Sequence, residues 1–520
     1  MLLDTVDISI VVAYAVFIIV IAQLVSREKA GHEKNTQDYF LAGNTLPWWA
    51  IGSSLIAANI SAEQIIGMSG SGYVIGLGIA SYEWMAAVTL LLVGKYFLPV
   101  FLKNKIYSMP QFLEKRYDGR VRLVMAIFWL VLYVFVNLTS ILWLGALAIN
   151  AITGFKIVTS LMLLGGCAVA YSLYGGLKAV ALTDIIQVTL LVFGGLMVSS
   201  IALMQIGGDQ GVWGGFIELT QRVPEKFDMI LSQDNEYYNL LPGISVLLGG
   251  MWIMNISYWG FNQYVIQRAL AAKDIHEARK GIVFAASLKI LMPVIVVLPG
   301  IAAAVLVPDI EASDQAYPEM MKLLPAGIKG LVFAALIAAI LSSLGSMMNS
   351  ISTIFTMDIY KAMKHQTGET KLVMIGRIVA LMAMVIAVIT AKPLLGNFTQ
   401  AFQFIQEFTG FFTPGIVVIF LLGLFWDRAT ANSALAAGIG SFVLSVLFRQ
   451  FWPELPFMDR VGLVFILCGV AAIILSYVHP DKNANNTISN QDVDYSVRRS
   501  FLIGGLCVSA IVAALYTIWW

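Results

Sequence analysis

Stretches of about twenty uninterrupted apolar residues recur fourteen times along this chain. A run of that length crosses the hydrocarbon core of a bilayer as a helix. Backbone in lipid must satisfy its own polar groups, which leaves helices or a closed barrel as the spanning structures. The expected fold class is therefore all-α integral membrane with fourteen transmembrane helices, from 8–25, 48–71 and 74–101 at one end to 430–448, 458–478 and 501–520 at the other. Composition agrees: of 520 residues 59% are hydrophobic and 12% charged, far from the balance of a soluble domain.

The first apolar run, Ile8 to Val25, has acidic residues before it and no small-residue cleavage site after it, so it reads as a retained span and not as a cleaved signal. Taking the amino terminus as outside puts 21 Lys and Arg in inside loops against 8 outside. The excess of basic residues on the inner side then places both termini outside. A net charge of +1 offers nothing to nucleic acid. The three cysteines, Cys167, Cys468 and Cys507, lie in apolar stretches with neither disulfide nor metal spacing,. The four histidines (His32, His276, His365 and His479) fall in inferred inside loops, and no Walker or dinucleotide glycine pattern is present,. ATP-driven transport and catalysis lack their parts, and the chain is not expected to be an enzyme. The polar segment "HPDKNANNTISNQDVDYSVRRS" before the last span reads as an inside loop without an assignable function,.

Two places break the apolar pattern. "AANISAEQ" lies in the second span and "IMNISYWGFNQ" in the seventh. Five spans separate them, and an odd offset makes the two segments cross in opposite directions, as in an inverted repeat. Interrupted helices at matching places in two halves point to a transporter's binding site, because the freed backbone groups face a cavity and not lipid. Asn59, Ser61, Asn255 and Ser257 would equally serve as interhelical hydrogen-bond partners in an ordinary bundle. Their clustering favours the site. Glu83 and Lys289 each sit well inside an apolar run, where an ionised side chain costs about 2.5 to 3.5 kcal/mol and is usually functional; a structural ion pair between them is the alternative. Asp184 opens the sixth span, where capping of a helix N-terminus explains it as well as function does. In the ninth span Ser342, Ser346, Asn349, Thr353 and Thr356 recur at spacings of three and four, which places them on one helix face. Such a face lines water or a polar core, and oxygen ligands of this kind suit a hard cation such as sodium.

The blocks "SLIAANISAEQIIGMSGSGY", "ASYEWM", "YWGFNQYVIQRALAAK" and "FQFIQEFTG" resemble the sodium/solute symporter family, and the likeness runs along nearly the whole chain. The resemblance implies a LeuT-like core of five-plus-five inverted repeats and coupled uptake of sodium and a neutral monosaccharide of galactose or glucose type. On the chain this gives a first helix and inside loop (1–47), a first repeat (48–205), an outside loop (206–243), a second repeat (244–426) and three peripheral helices (427–520). It implies sugar contacts at Gln64, Glu83, Asn255, Lys289 and Gln406, with Asn59 nearby and Tyr258 stacking on the sugar ring as an inner gate. Met68, Tyr82 and Phe402 match an outer hydrophobic gate. The sodium ligands implied are the carbonyls of Ala57, Ile60 and Ala339 with the hydroxyls of Ser342 and Ser343, and Asp184 matches an acid on the sodium exit path. Ala86 stands where the family's sugar carriers have a serine that meets the sugar, which bears on the choice of hexose.

The expected partners are thus a sugar, sodium and the lipid of a bacterial inner membrane, with the chain monomeric or weakly dimeric. An inositol, a sialic acid or an amino acid remains open as solute. A solute-sensing membrane domain is opposed by the absence of any attached signalling region, and a passive channel by the buried charges.

Overall fold

The computed structural model describes residues 3–26, 45–106, 108–172, 177–364, 368–396, 400–480, 488 and 493–520. Parts of the first and last inside loops, with Arg27, Lys29, Lys34, His32 and Lys482, lie outside the described residues, as does His365. Within them the chain is helical almost throughout. Ten helices are long and apolar enough to cross a membrane, and an eleventh span is made by the pair Ala401–Thr409 and Thr413–Phe425, bent by 46°. Three further expected stretches are helical as well. Thr5–Ser26 and Ile157–Ser172 are two, and the segment from Trp48 to Val74, which is broken, is the third.

That break begins where the sequence placed it. The helix Trp48–Asn59 stops at Ile60, which turns to φ −71°, ψ 89°. The Ser61 N–H then bonds to the Asn59 carbonyl at 2.8 Å, whereas a continuing helix would have sent it to Ala57. The Ser61 hydroxyl accepts from the Glu63 N–H at 3.1 Å and donates to the Gln64 side chain at 3.2 Å, the local pairing by which serine competes with a helix. The chain resumes as the π-helical turn Glu63–Met68 and the α-helix Ser69–Val74. The second break mirrors it: Gly250–Ile256 runs into the π-helical turn Ser257–Phe261, Asn262 is extended, and Gln263–Leu270 follows.

These short pieces sit at the centre, enclosed by long helices. Ile275–Leu306 packs against both halves of the first broken span. Its approach is close enough that a Cβ on Gly300 would lie 2.1 Å from the Ser69 carbonyl oxygen. Pro293 and Pro299 lie inside this 32-residue helix, which a membrane span tolerates where neighbours satisfy the freed carbonyl. Pro299 frees the Ile295 carbonyl; the carbonyl one residue earlier, at Val294, accepts from the Ser199 hydroxyl at 2.6 Å. Outer helices expose apolar side chains instead, as Ile389 (67%) and Leu506 (62%) do, as expected where lipid is the solvent.

Residues 206–243, expected as an outside loop, contain the helix Gly211–Arg222. Its Phe216 meets Phe227 and Trp519 edge-on, so an amphipathic segment covers one end of the bundle. Arg116, Arg268 and Arg279, counted as inside-loop charges, are all buried. Arg116 caps a helix end through the carbonyls of Gly423, Trp426 and Ala429, and Arg279 bonds to the carbonyls of Gly94 and Ser496. A guanidinium spread over several carbonyls is a stable way to end a helix in apolar surroundings.

Candidate functional site

Lys289 is the hub of the centre. It is fully buried on the helix Ile275–Leu306, and its ammonium lies 2.5 Å from Glu83 Oε2, bonds to Asn59 Oδ1, and sits 5.0 Å from the centre of the Trp259 ring. Glu83 comes from the helix Ser81–Leu92, Asn59 from the first break and Trp259 from the second. One cation thus ties together both broken helices and two neighbours. The residual dipoles then continue outward. Asn59 Nδ2 donates to the Tyr258 hydroxyl at 3.1 Å, which shares a 2.6 Å hydrogen bond with the Tyr264 hydroxyl. Tyr133 donates to Asn262 Oδ1 at 2.6 Å, fastening the second break.

A cavity opens beside this network. The expected contact residues Asn59, Gln64, Glu83, Asn255, Lys289 and Gln406 all line it, and so do Tyr258 and Ala86. Asn255 donates its amide N–H to the Met251 carbonyl at 3.1 Å, which fixes the side chain. The expected gate residues Met68, Tyr82 and Phe402 line the same cavity. They are buried, and the rings of Tyr82 and Phe402 meet edge-on with centroids 5.1 Å apart. Sequence reasoning missed part of the wall. Glu63, Tyr133 and Asn137 also face the cavity. Glu63 belongs to the same polar stretch as Gln64, but its partner Ser140, 2.8 Å away, is far along the chain, and nothing local announces it.

A second polar cluster lies away from the cavity wall. Ala57, Ile60, Ala339, Ser342 and Ser343 are all buried, where the helix Ile328–Thr353 packs against Trp48–Asn59. Ser342 donates to Asp184 Oδ1 and Ser54 to Asp184 Oδ2, each at 2.8 Å. The Arg268 guanidinium lies 3.8 Å from Asp184 Oδ2, and Arg268 also donates to the hydroxyls of Ser54 and Ser346. Asp184 is therefore not the N-cap that the sequence allowed; it sits within the helix Leu177–Gly207 and is fully buried. The Ser343 hydroxyl, by contrast, is buried without a hydrogen-bond partner. The Ala57 carbonyl is released from the α-ladder at the end of Trp48–Asn59, and an open hydroxyl and an open carbonyl are oxygen groups of the kind that hard cations accept as ligands. Of the expected polar face, Thr353 turns back onto its own helix through the Asn349 carbonyl, whereas the Thr356 hydroxyl is buried without a hydrogen-bond partner.

The profile of the Sodium:solute symporter family matches residues 39–440. The whole chain is 49% identical to the Sodium/glucose cotransporter of Vibrio parahaemolyticus, covering 99% of it. It is 33% identical to the human Sodium/myo-inositol cotransporter over 86% of this chain and 67% of that protein. Among solved structures, a Na+-coupled sialic acid symporter in a substrate-bound outward-open state superposes with a TM-score of 0.78 at 23% identity, covering 92% of this chain and 99% of that one. A closed nucleobase-cation-symport-1 transporter gives a TM-score of 0.54 at 13% identity, over 87% and 98%. The two structures share the fold.

Proposed function

The chain belongs to the sodium:solute symporter family, and on that premise we propose that it carries sodium and a neutral monosaccharide of the galactose or glucose type together across the membrane. The observation that carries this reading is the Lys289 ammonium, held by Glu83 and Asn59 in a wall that also presents amides and aromatic rings. Sugar hydroxyls both donate and accept, so amides, a carboxylate and an ammonium match them. The less polar face of the ring suits an aromatic plate such as Tyr258. The cavity's acidic and basic side chains are Glu63, Glu83 and Lys289, two carboxyls against one ammonium, which disfavours an anionic solute such as a sialic acid. The Vibrio relative's name supports a sugar. Ala86 places a methyl where a hydroxyl would discriminate, so hexose preference is set by the remaining amides.

Sodium takes the second cluster: the Ala57, Ile60 and Ala339 carbonyls with Ser342 and Ser343, with Asp184 next along its path. The ligands come from the first broken span and the helix Ile328–Thr353, so the ion joins two elements that inward rocking would part. Holding them together shapes the Asn59 and Gln64 side of the sugar cavity, which couples the two sites. Fourteen helices with both termini outside, repeats at 48–205 and 244–426 related by inversion, and peripheral parts at 1–47, 206–243 and 427–520 complete the reading. The paired breaks and the basic inside loops support it. The bacterial relative supports an inner-membrane location.

Uptake of labelled galactose and glucose into proteoliposomes, with and without an inward sodium gradient, tests this. Accumulation that collapses when potassium replaces sodium is expected. Sodium-driven uptake of myo-inositol but of neither hexose would move the substrate, and no sodium-driven uptake of any polyol would overturn the sugar reading.

A further inference from the structure

The cavity contains two carboxylates with different surroundings. Glu83 meets Lys289 at 2.5 Å, and its charge is neutralised within the wall. Glu63 turns toward another wall. Its Oε1 meets the Ser140 hydroxyl at 2.8 Å, a hydroxyl that also reaches the Val136 and Asn137 carbonyls of its own span, and among the described residues no Lys, Arg or His forms an ion pair with Glu63. It is 7% exposed and that exposure is onto the cavity.

The Glu63 carboxyl has hydrogen-bonding positions that the protein does not fill, and a buried polar group left short of partners is costly. What enters the cavity must therefore bring donors. No grouping of three or more acidic, His or Cys side chains occurs among the described residues. A polyhydroxylated solute has donors to spare.

Resting on the sugar reading above, we propose that Glu63 is a specificity-determining residue that accepts a hydrogen bond from a substrate hydroxyl other than those that meet Glu83 and Lys289. Ser140 acts as its positioning residue: one hydrogen bond from a neighbouring helix fixes which way the carboxylate points. Because Glu63 and Glu83 belong to separate elements, they read two positions of the sugar independently. An analogue lacking that hydroxyl leaves the buried Glu63 carboxyl unmet, which is what makes such a contact discriminate.

The test is competition for labelled galactose uptake by a panel of monodeoxy-galactoses, in proteoliposomes holding the wild type, Glu63→Ala, Glu63→Gln or Ser140→Ala. Glu63→Ala is expected to weaken the parent sugar by about 10- to 100-fold. One monodeoxy analogue, poor for the wild type, should then bind the variant as well as the parent does, while discrimination at every other position survives. Glu63→Gln keeps an acceptor and falls between; Ser140→Ala relaxes discrimination at the same single position, and these two carry the test if Glu63→Ala does not fold. Unchanged discrimination at all positions overturns the proposal, and so does a defect confined to sodium activation, which would make Glu63 a cation ligand. Absence of sodium-driven hexose uptake in the wild type is a different failure, of the sugar reading itself, and takes this proposal with it.

Discussion

Lys289 and Glu83 are both buried, and each is the other's ion-pair partner. Removing one partner of a buried pair leaves an unmet charge and costs about 3 to 5 kcal/mol, whereas replacing both by neutral groups of similar size is often nearly neutral. Glu83→Ala should therefore lower the melting temperature of the detergent-purified protein clearly, while Glu83→Gln combined with Lys289→Met should recover most of the stability and none of the uptake. Recovery of both would make the pair structural. Ser343 tests the other cluster. Its hydroxyl has no protein partner to lose, so Ser343→Ala should leave the sodium-free protein as stable as before and weaken sodium activation about tenfold, the effect of one lost contact to a charged group; unchanged sodium dependence would remove it from the ligand set. At this scale the sequence was legible wherever a polar group interrupts an apolar run, as at Asn59, Glu83 and Lys289. It was not legible where the polar group lies at the end of such a run. Arg268 looked like a loop charge, and only packing shows it reaching Ser54 and Ser346.

The broken helices were visible as elements because Asn and Ser in a span weaken the α-ladder, but their surroundings were not. The connection between Ile275–Leu306 and Ile328–Thr353 folds back so that Asp314 is buried against Gly70 of the first broken span, where a Cβ would lie 2.6 Å from its Oδ1. Its Oδ2 accepts the Ala401 N–H at 3.0 Å, at the start of the bent pair. One side chain of a connecting segment thus bridges the element that carries Gln64 and the one that carries Gln406. Burial pushes the Asp314 carboxyl up to about 7, although the Ala401 N–H opposes it. A carboxyl whose pKa is raised in the packed state binds protons more readily there than when released. The docking is therefore strongest below the ordinary carboxylate range, near pH 4, and weakens as pH rises through about 7,. Hydrogen exchange of residues 312–324 should quicken between pH 5 and pH 8 after correction for the intrinsic rate. Asp314→Asn, neutral at every pH, should flatten that change; a dependence that survives the substitution would assign it elsewhere.

Across the whole molecule, apolar run length gives the spans, and the offset between two polar interruptions gives the plan of two halves. Neither gives the way peripheral helices brace the centre, because an exposed apolar face and a packed one look alike in sequence. The last helix, Arg499–Ile518, shows the difference. Most of its face is apolar and outward, as at Leu502 and Ile503, yet Tyr516 is buried. Its hydroxyl donates to Ser81 Oγ at 3.0 Å and its ring meets Trp84 with centroids 6.0 Å apart. Ser81 and Trp84 flank Tyr82 and Glu83, so the outermost helix holds the element that presents a gate residue and a cavity carboxylate. Tyr516→Phe removes one neutral hydrogen bond, about 0.5 to 1.5 kcal/mol, and strands the Ser81 hydroxyl; Ser81→Ala removes the other partner. If the contact positions the helix, each variant should raise the half-saturating sugar concentration severalfold with maximal uptake retained, and the double variant should do no worse than either one. Additive effects would show two independent perturbations, and a fall in stability with unchanged sugar affinity would make the last helix a packing element alone.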